Sequence, residues 1–304
     1  MLFINKVEHY IKDSEYRMIT NSLMGLYHFK SDKKYITKLY KISSGKDLDL
    51  DNPKSFNEKL QWLKLYDRRP EYTMMVDKYA VKEYVAKEIG NEYIIPTLGV
   101  WNHFDEINFA QLPNQFVLKC THDSGGLFIC RDKNIFNKKK VKKKINHCLK
   151  KNFFWIGREW PYKNVEPRII AEKYMEDRNG EQLIDYKFYC FNGEPKFLYI
   201  SKGLEVHSTA QISFLTLDWK FAPFGRDDYA SFTQLPEKPK HFDDMISIAK
   251  KLSIGHCFLR VDLYEINGHI YFSELTFTPC SGFMPFNPIE YDLILGDMIT
   301  LPRG

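Results

Sequence analysis

The chain has 304 residues, 44% of them hydrophobic and 15% aromatic, enough for the core of one large domain or of two closely packed ones. The charged fraction is 27%, and no apolar run approaches the roughly 18 residues that a membrane-spanning helix needs, which excludes an integral membrane protein. Charged residues interrupt the first stretch, so we expect no secretory signal and a cytoplasmic location. The six cysteines form no C-x-x-C pair, which predicts reduced thiols and no zinc site.

The first 70 residues or so have helical patterning. Ser55 is a candidate N-cap, and Glu58, three residues later, completes a capping box, so a helix is expected to start there. A second helix is predicted from near Tyr72 to Gly90, because glycine is typical of a helix C-terminus. Short apolar runs then predict strands at 93–100, 116–121 and 128–131.

A lysine-rich segment follows these strands. Nine lysines lie between Lys133 and Lys151, and subtracting them from the net charge of +5 leaves −4 for the rest of the chain. Val141, Ile145 and Cys148 recur at helical spacing, which predicts an amphipathic helix with a lysine face. This face is either simply solvated or a docking surface for an anionic partner. The segment lacks the interleaved aromatic residues that stack on bases, so we expect no nucleic acid but another polyanion or a lipid surface.

From residue 168 onwards the pattern changes to β-structure. A buried strand is expected at 169–175, and two hairpins are predicted around Asn192-Gly193 and Asn267-Gly268, dipeptides typical of two-residue turns. A further strand at 211–217 and a helix at 242–252 complete the series. Helices followed by mixed strands with single helices predict an α+β fold rather than a doubly wound sheet.

Two polar stretches in these strands have the chemistry to bind a nucleotide. Lys119 ends an apolar strand just before a loop that contains Gly125 and Gly126, and the ammonium and backbone N–H groups there could hold phosphate oxygens. The alternative is an ordinary hairpin. The stretch 172–175 ends the next strand with a carboxylate and an aromatic ring, which could bind a purine edge; the alternative is a strand end that reaches water.

A second group of charges lies on the last predicted hairpin. Alternation puts Arg260 and Asp262 on one strand face, and Glu274 and Thr276 on one face of the returning strand. A two-residue loop would pair Asp262 with Ser273 and send Glu274 to the opposite face. A three-residue loop with a bulge would bring all four together. Only the second register makes a site for Mg²⁺, which prefers hard oxygen ligands; a salt-bridge network is the other use of these charges.

Asp185 and Lys187 share a strand face with Tyr189, and this pattern suits a solvated strand as well as a functional site. The sequence contains no G-x-S-x-G elbow, no Walker motif and no Rossmann glycine fingerprint.

Taken in this order, the clusters resemble the ATP-grasp superfamily, and more narrowly its TupA-like branch, which occurs in bacterial gene clusters for surface polysaccharides, such as capsules, and for teichuronopeptide. The matching stretches are 55–63, 77–82, 116–119 with its Gly-Gly loop, 171–175, 185–189, 260–264 and 272–276. The resemblance implies a helical N-terminal region, 1–75, followed by two α+β subdomains, 76–178 and 179–304, that clasp ATP.

The resemblance also implies ATP and Mg²⁺ as cofactors and assigns residues to the nucleotide. These are Lys78, Lys119, Ser124, Gly125 and Gly126 for the phosphates, Glu172, Lys173, Tyr174 and Met175 for adenine, and Asp185 for the ribose.

For the metal, the resemblance assigns Asp262, Glu274 and Thr276, the last of which stands where the superfamily usually has asparagine. Arg260 resembles the arginine that steadies the transferring phosphoryl group. The lysine that reaches the γ-phosphate is either Lys187 or Lys202.

The activity implied is that of a carboxylate–amine ligase, which uses ATP to make an acyl phosphate that an amine then attacks. For this branch the resemblance suggests that an amino acid or other amine is joined to the uronic acid of an anionic glycan or lipid-linked saccharide, at the inner face of the membrane if the enzyme associates peripherally. The alternatives are an ATP-dependent sugar kinase, a glycosyltransferase, or a non-catalytic module that binds acidic glycan. The D-x-D matches within 47–51 lie in a polar segment far from any predicted strand, which disfavours a glycosyltransferase.

Overall fold

The computed structural model describes residues 8–123, 125–178, 182–204 and 207–302, so Ser124 lies outside the described residues. The helices are α1 (Ser14–Leu23), α2 (Asp32–Ser44), α3 (Phe56–Tyr66), α4 (Glu71–Val76), α5 (Ala80–Ile89), α6 (Lys138–Leu149), α7 (Phe154–Gly157), α8 (Phe242–Ser253) and α9 (Tyr291–Asp297). The strands are β1 (Thr97–Trp101), β2 (Phe116–Cys120), β3 (Leu127–Cys130), β4 (Ile169–Lys173), β5 (Ile184–Phe191), β6 (Glu194–Lys202), β7 (Gln211–Thr216), β8 (Gly225–Arg226), β9 (Phe258–Ile266), β10 (His269–Thr276) and β11 (Phe286–Asn287).

Two antiparallel sheets form the framework, in the orders β1-β4-β2-β3 and β10-β9-β5-β6-β7. The lysine helix α6 covers one face of the first sheet, where Val141 and Ile145 are buried in its core. Helices α5 and α8 cover one face of the second sheet, and α3 and α9 cover part of the other face. The α+β prediction is therefore confirmed. Within the described ranges, no helix combines the length and the apolar character needed to cross a bilayer.

The helix predicted from Tyr72 to Gly90 is in fact two helices, because Asp77 interrupts it. The Asp77 Oδ1 atom accepts hydrogen bonds from the backbone N–H groups of Tyr79 and Ala80, at 2.8 and 3.2 Å. A side chain that captures local amides in this way competes with the helical hydrogen bonds. Lys78 lies in this break, and its backbone N–H donates to the carbonyl of Thr121.

The last hairpin realises neither of the two predicted arrangements. Its loop has two residues, Asn267 and Gly268, with φ angles of 55° and 74°, and it pairs Ile266 with His269. The register then shifts at Ser273, so Glu274 pairs with Asp262. The bulge needed for convergence thus exists, but it lies inside strand β10 instead of at the turn.

The predicted capping box at the start of α3 is confirmed. Ser55 Oγ accepts a hydrogen bond from the N–H of Glu58, and Glu58 Oε2 accepts one from the N–H of Ser55. Helix α9 packs closely against this helix start: a Cβ added at Gly296 would lie 2.1 Å from the carbonyl oxygen of Lys54 and 2.7 Å from the backbone nitrogen of Phe56. The two helices can approach this closely only because position 296 has no side chain.

We therefore expect Gly296→Ala to lower the free energy of unfolding by about 1–3 kcal/mol, the usual effect of forcing extra volume into a packed contact. Gly225→Ala is the matched control, because a Cβ at Gly225 would meet no atom within 4 Å. Urea unfolding of both variants tests this prediction, and equal midpoints for the two would contradict it.

Candidate active site

The second sheet carries a charged cluster on the face that α3 leaves partly open. Along β5 and β9 this face begins with the buried aromatic rings of Phe191 and Phe258. It then becomes charged, with Tyr189 paired to Arg260 and Lys187 paired to Asp262. The sheet therefore has one apolar end, which α3 covers, and one charged end.

Asp262 lies at the centre of the cluster and is fully buried. Arg260 donates to both of its oxygens, from Nε to Oδ1 and from Nη2 to Oδ2, each at 2.7 Å. Lys187 Nζ donates to Oδ2 at 2.6 Å. Burial raises the pKa of Asp262, although the two cations oppose that shift. A buried carboxylate with this environment is stable only while its partners stay in place.

Glu274 is the accessible carboxylate of the cluster, with 42% of its side chain exposed. Arg260 Nη2 donates to its Oε1 atom at 2.8 Å, and the Thr276 hydroxyl lies 3.3 Å from the same oxygen. Desolvation would raise its pKa, but Arg260, Lys187 and Lys78 together lower the pKa of Glu274 to about 2. Glu274 is therefore ionised across the physiological pH range.

The cluster has the charge and the donor atoms to hold Mg²⁺. The cluster has two cations, Arg260 and Lys187, and three anions, Asp262, Glu274 and Asp185. Asp185 belongs to the cluster because it lies 3.5 Å from Lys187 Nζ. The net charge of the cluster is therefore −1. The Oδ1 atom of Asp185 is buried and makes its ion pair with Lys187 without a hydrogen bond. The salt-bridge network and the predicted metal site are thus the same residues, and Asp262, Glu274 and Thr276 are the hard oxygen donors that would hold the ion.

The first sheet presents cations on the face opposite to α6. Lys119 Nζ lies 2.6 Å from one oxygen of Glu172, and Lys82 Nζ contacts the other oxygen. Burial would raise the pKa of Glu172, but both lysines lower it below its ordinary value. The three side chains carry one net positive charge, which suits an anionic ligand. Sequence reasoning included Lys82 in a matching stretch but gave it no role.

Lys78 joins the glycine loop to this site. Its ammonium group donates to the carbonyl of Asp123, and Asp123 Oδ1 in turn accepts from the N–H of Gly126 at 3.0 Å. Gly126 also closes the loop through its carbonyl, which accepts from the N–H of Cys120 at 2.9 Å. The described part of the loop, which includes Gly125, therefore lies within reach of a lysine held by the break between α4 and α5.

The clusters on the two sheets influence each other electrostatically. Burial alone would lower the pKa of Lys119, but Glu172, Glu274 and Asp185 raise it. Two of these three carboxylates belong to the second sheet. Lys119 of the first sheet and the carboxylates Glu274 and Asp185 of the second are therefore close enough to interact, and charges of both signs in one place suit a metal-bound triphosphate.

The remaining predicted residues lie at the edge of this arrangement. Lys173 is exposed at the end of β4, and Tyr174 accepts a hydrogen bond from Arg131 Nε at 3.2 Å; Met175 follows in the segment after the strand. Lys202 pairs with Ile184, so strand alternation puts it on the face opposite to Lys187. Of the two candidate lysines, the cluster contains Lys187.

Helix α3 contributes polar residues that sequence reasoning did not assign. Asn57, Gln61 and Lys64 lie at i, i+4 and i+7 and face the backbone of 281–284, just beyond β10. Asn57 makes two hydrogen bonds to this segment, at 3.0 and 2.7 Å, and Gln61 Nε2 donates to a carbonyl at 2.8 Å. Lys64 Nζ donates to the carbonyl of Ser281 at 2.6 Å. The signal in the sequence is a stripe of polar residues at helical spacing, next to the apolar stripe of Phe56 and Leu60.

The segment held in this way forms one wall of a cavity of about 300 Å³. Ser281 of this segment and Cys280 before it have positive φ angles, of 53° and 50°, and the hydrogen bonds from α3 hold this conformation in place. The cavity is lined by Glu15 and by Arg226, which is ion-paired with Asp228, beside an apolar wall. It therefore has groups of both charges next to the end of the strand that carries Glu274.

Two antiparallel sheets that face each other across lysines and carboxylates are the arrangement of the ATP-grasp fold. The chain belongs to the TupA-like ATP-grasp family, whose sequence model matches residues 58–300.

Solved structures similar to this chain include two D-alanine–D-alanine ligases. That of Helicobacter pylori has 17% identity and a TM-score of 0.46, with 81% of this chain and 69% of the ligase covered. That of Bacillus anthracis, complexed with ATP, has 16% identity and a TM-score of 0.42, with 74% of this chain and 65% of the ligase covered. No curated protein sequence matches the chain. The family assignment therefore rests on the family model.

Lys64 gives the site a measurable pH signature. Burial lowers the pKa of Lys64 from 10.5 to about 8, although Glu159 opposes the shift. Between pH 8 and pH 10.5 the unfolded chain keeps a proton that the folded chain has lost, so Lys64 makes the free energy of unfolding rise with pH in this window. Between pH 8 and pH 10.5, the free energy of unfolding of the wild type should therefore rise by about 3 kcal/mol more than that of Lys64→Met.

Unfolding by urea at several pH values measures this difference. Lys196→Met is the control, because the Lys196 side chain is exposed. The free energy of unfolding of this variant should change with pH in the same way as that of the wild type. A difference between wild type and Lys64→Met that stays constant with pH would contradict the assignment of a buried, readily deprotonated lysine.

Proposed function

We propose that this chain is an ATP- and Mg²⁺-dependent carboxylate–amine ligase. The observation that carries the proposal is the pair of charged clusters on the two sheets: Lys119 interacts with Glu274 and Asp185 of the second sheet, and Lys78 interacts with Glu274. Phosphoryl transfer needs positioning and charge neutralisation more than covalent chemistry, and such a site offers both. Bound Mg²⁺ would neutralise charge on the β- and γ-phosphates.

The residues then have separate roles. Lys78 and Lys119, with the glycine loop, bind phosphate oxygens, and the stretch 172–175 binds adenine with Asp185 near the ribose. Arg260 and Lys187 are buried and rigidly held, so they stabilise charge that develops on the transferring phosphoryl group without having to reorganise.

In the reaction, a carboxylate oxygen of the acceptor attacks the γ-phosphorus and ADP leaves. The acyl phosphate that results is attacked at its carbonyl carbon by an amine, the C–O bond to phosphate breaks, and the amine loses a proton. The products are an amide, ADP and phosphate. Attack of water on the acyl phosphate would waste ATP, so the site must exclude water until the amine binds.

For the acceptor we propose the uronic acid of a bacterial surface polysaccharide or of its lipid-linked precursor. The lysine face of α6 supports an anionic, polymeric acceptor, because Lys139, Lys140, Lys143 and Lys144 are all exposed. Helix α6 covers the face of the first sheet opposite to Lys119, so these lysines would hold a part of the acceptor remote from the reacting carboxylate. The cavity near Ser281, which is lined by Glu15 and by the ion pair of Arg226 and Asp228, supports a small polar amine such as an amino acid.

A glycosyltransferase would use a D-x-D motif to hold its metal, but the acids of 47–51 have local structural partners. Asp49 Oδ1 accepts hydrogen bonds from the N–H groups of Asp51 and Asn52, and Asp47 pairs with Lys41. These contacts are those of a surface turn, and they support the ligase over the transferase.

The test is release of ADP from ATP and Mg²⁺ in the presence of uronic-acid oligosaccharides and a mixture of amino acids. A ligase releases ADP only when acceptor and amine are both present. Release that needs the sugar alone would indicate a kinase, and no ADP together with UDP release from a nucleotide sugar would indicate a glycosyltransferase; either result would contradict the proposal.

Glu274→Gln should lower the rate of ADP release by at least about 100-fold, because it removes an accessible carboxylate from the site where phosphate charge is neutralised. Glu194→Gln is the matched control, since Glu194 is also on a strand of this sheet but forms an exposed pair with Lys250. If Glu274→Gln instead unfolds the protein while Glu194→Gln does not, the cluster is structural and the proposed role of Glu274 is wrong.

A further inference from the structure

Three apolar side chains project into solvent from the loop between α1 and α2. Met24, Leu26 and Phe29 are 60%, 55% and 81% exposed. Single exposed apolar residues are common on protein surfaces, but three within six positions form a patch that needs an explanation.

The loop is held in place by contacts of the residues between these three. The carbonyl of Tyr27 accepts a hydrogen bond from Arg158 Nη2 at 2.9 Å. The ring of His28 stacks on Trp155, with centroids 3.5 Å apart. Leu26 and Phe29 are therefore exposed because Tyr27 and His28 contact the body of the protein, and their outward orientation is part of the fold.

Lysines surround this patch. Lys30 and Lys38 approach the ring of Tyr27, with Nζ atoms 4.8 and 5.9 Å from its centroid. Lys33 and Lys34 are exposed in the first turn of α2. The acid of this segment, Asp32, is paired with arginines from elsewhere in the chain at 2.7 and 3.3 Å, so it does not offset the lysine charge.

We propose that residues 24–38 form a membrane-docking surface for bilayers that contain anionic phospholipid. Apolar side chains flanked by lysines match the bilayer interface, where the acyl boundary accepts Leu26 and Phe29 while anionic headgroups attract the ammonium groups. The lysine helix α6 has charge without this apolar component, since its Val141 and Ile145 are buried. Docking by the loop is independent of the proposed ligase activity.

The test is co-sedimentation of the full chain with vesicles of phosphatidylcholine, with and without phosphatidylglycerol. The wild type should pellet with the mixed vesicles and not with phosphatidylcholine alone. The double variant Leu26→Ser/Phe29→Ser should bind the mixed vesicles at least about tenfold more weakly, because it loses the inserted apolar surface. Glutamine at Lys33, Lys34 and Lys38 should abolish the preference for phosphatidylglycerol.

Two variants serve as controls and should bind like the wild type. Ile254→Ser removes a side chain that is 67% exposed at the end of α8, and glutamine at Lys139, Lys140 and Lys143 removes charge from α6. The proposal is overturned if the wild type does not bind the mixed vesicles. It is equally overturned if the Leu26→Ser/Phe29→Ser variant binds them as tightly as the wild type does. It is also overturned if light scattering shows a wild-type dimer that Phe29→Ser converts to a monomer, because the patch would then cover a second copy.

Discussion

The register of β10 against β9 is the constraint on which the site depends. If the two-residue turn were followed by regular pairing, Glu274 would point to the face that carries Leu259, Val261 and Leu263, which are buried in an apolar core. The extra residue at Ser273 moves it to the face of Arg260. A bulge locally disrupts the ladder of hydrogen bonds, and here it brings the second carboxylate of the cluster opposite Asp262.

The cluster also depends on support from outside the two sheets. Phe56 and Leu60 of α3 fill the apolar end of the sheet face, while Asn57, Gln61 and Lys64 of the same helix hold the segment after β10. One helix thus packs the core with one set of side chains and fixes the backbone near the reactive centre with the other. Burying the ammonium group of Lys64 is costly unless acceptors surround it, and the carbonyl groups of 157 and 281 provide them.

Features with a local signal were predictable from the sequence, and those with distant partners were not. Ser55 with Glu58 predicts its helix start, and Asn-Gly dipeptides predict both turns, because capping and turn geometry involve residues close in sequence. The ion pairs of Lys82 with Glu172 and of Asp77 with Arg168 join residues 90 or more positions apart. The break at Asp77 has a local cause, its hydrogen bonds to the amides of Tyr79 and Ala80, but the apolar spacing on both sides of it predicted one continuous helix. The bulge at Ser273 has no local signature such as glycine, so the sequence left the register open.

If ATP activates a carboxylate for attack by an amine, one carboxylate oxygen atom must leave with the phosphate, and its path can be followed. The enzyme is incubated with ATP, Mg²⁺, an amine and a uronic-acid oligosaccharide whose carboxylate carries oxygen-18, and the phosphate released is analysed by mass spectrometry. If an acyl phosphate forms, the carboxylate oxygen that receives the γ-phosphoryl group leaves with it, so the phosphate released should carry oxygen-18. Unlabelled phosphate, or a phosphorylated sugar that keeps all of its label, would contradict this mechanism.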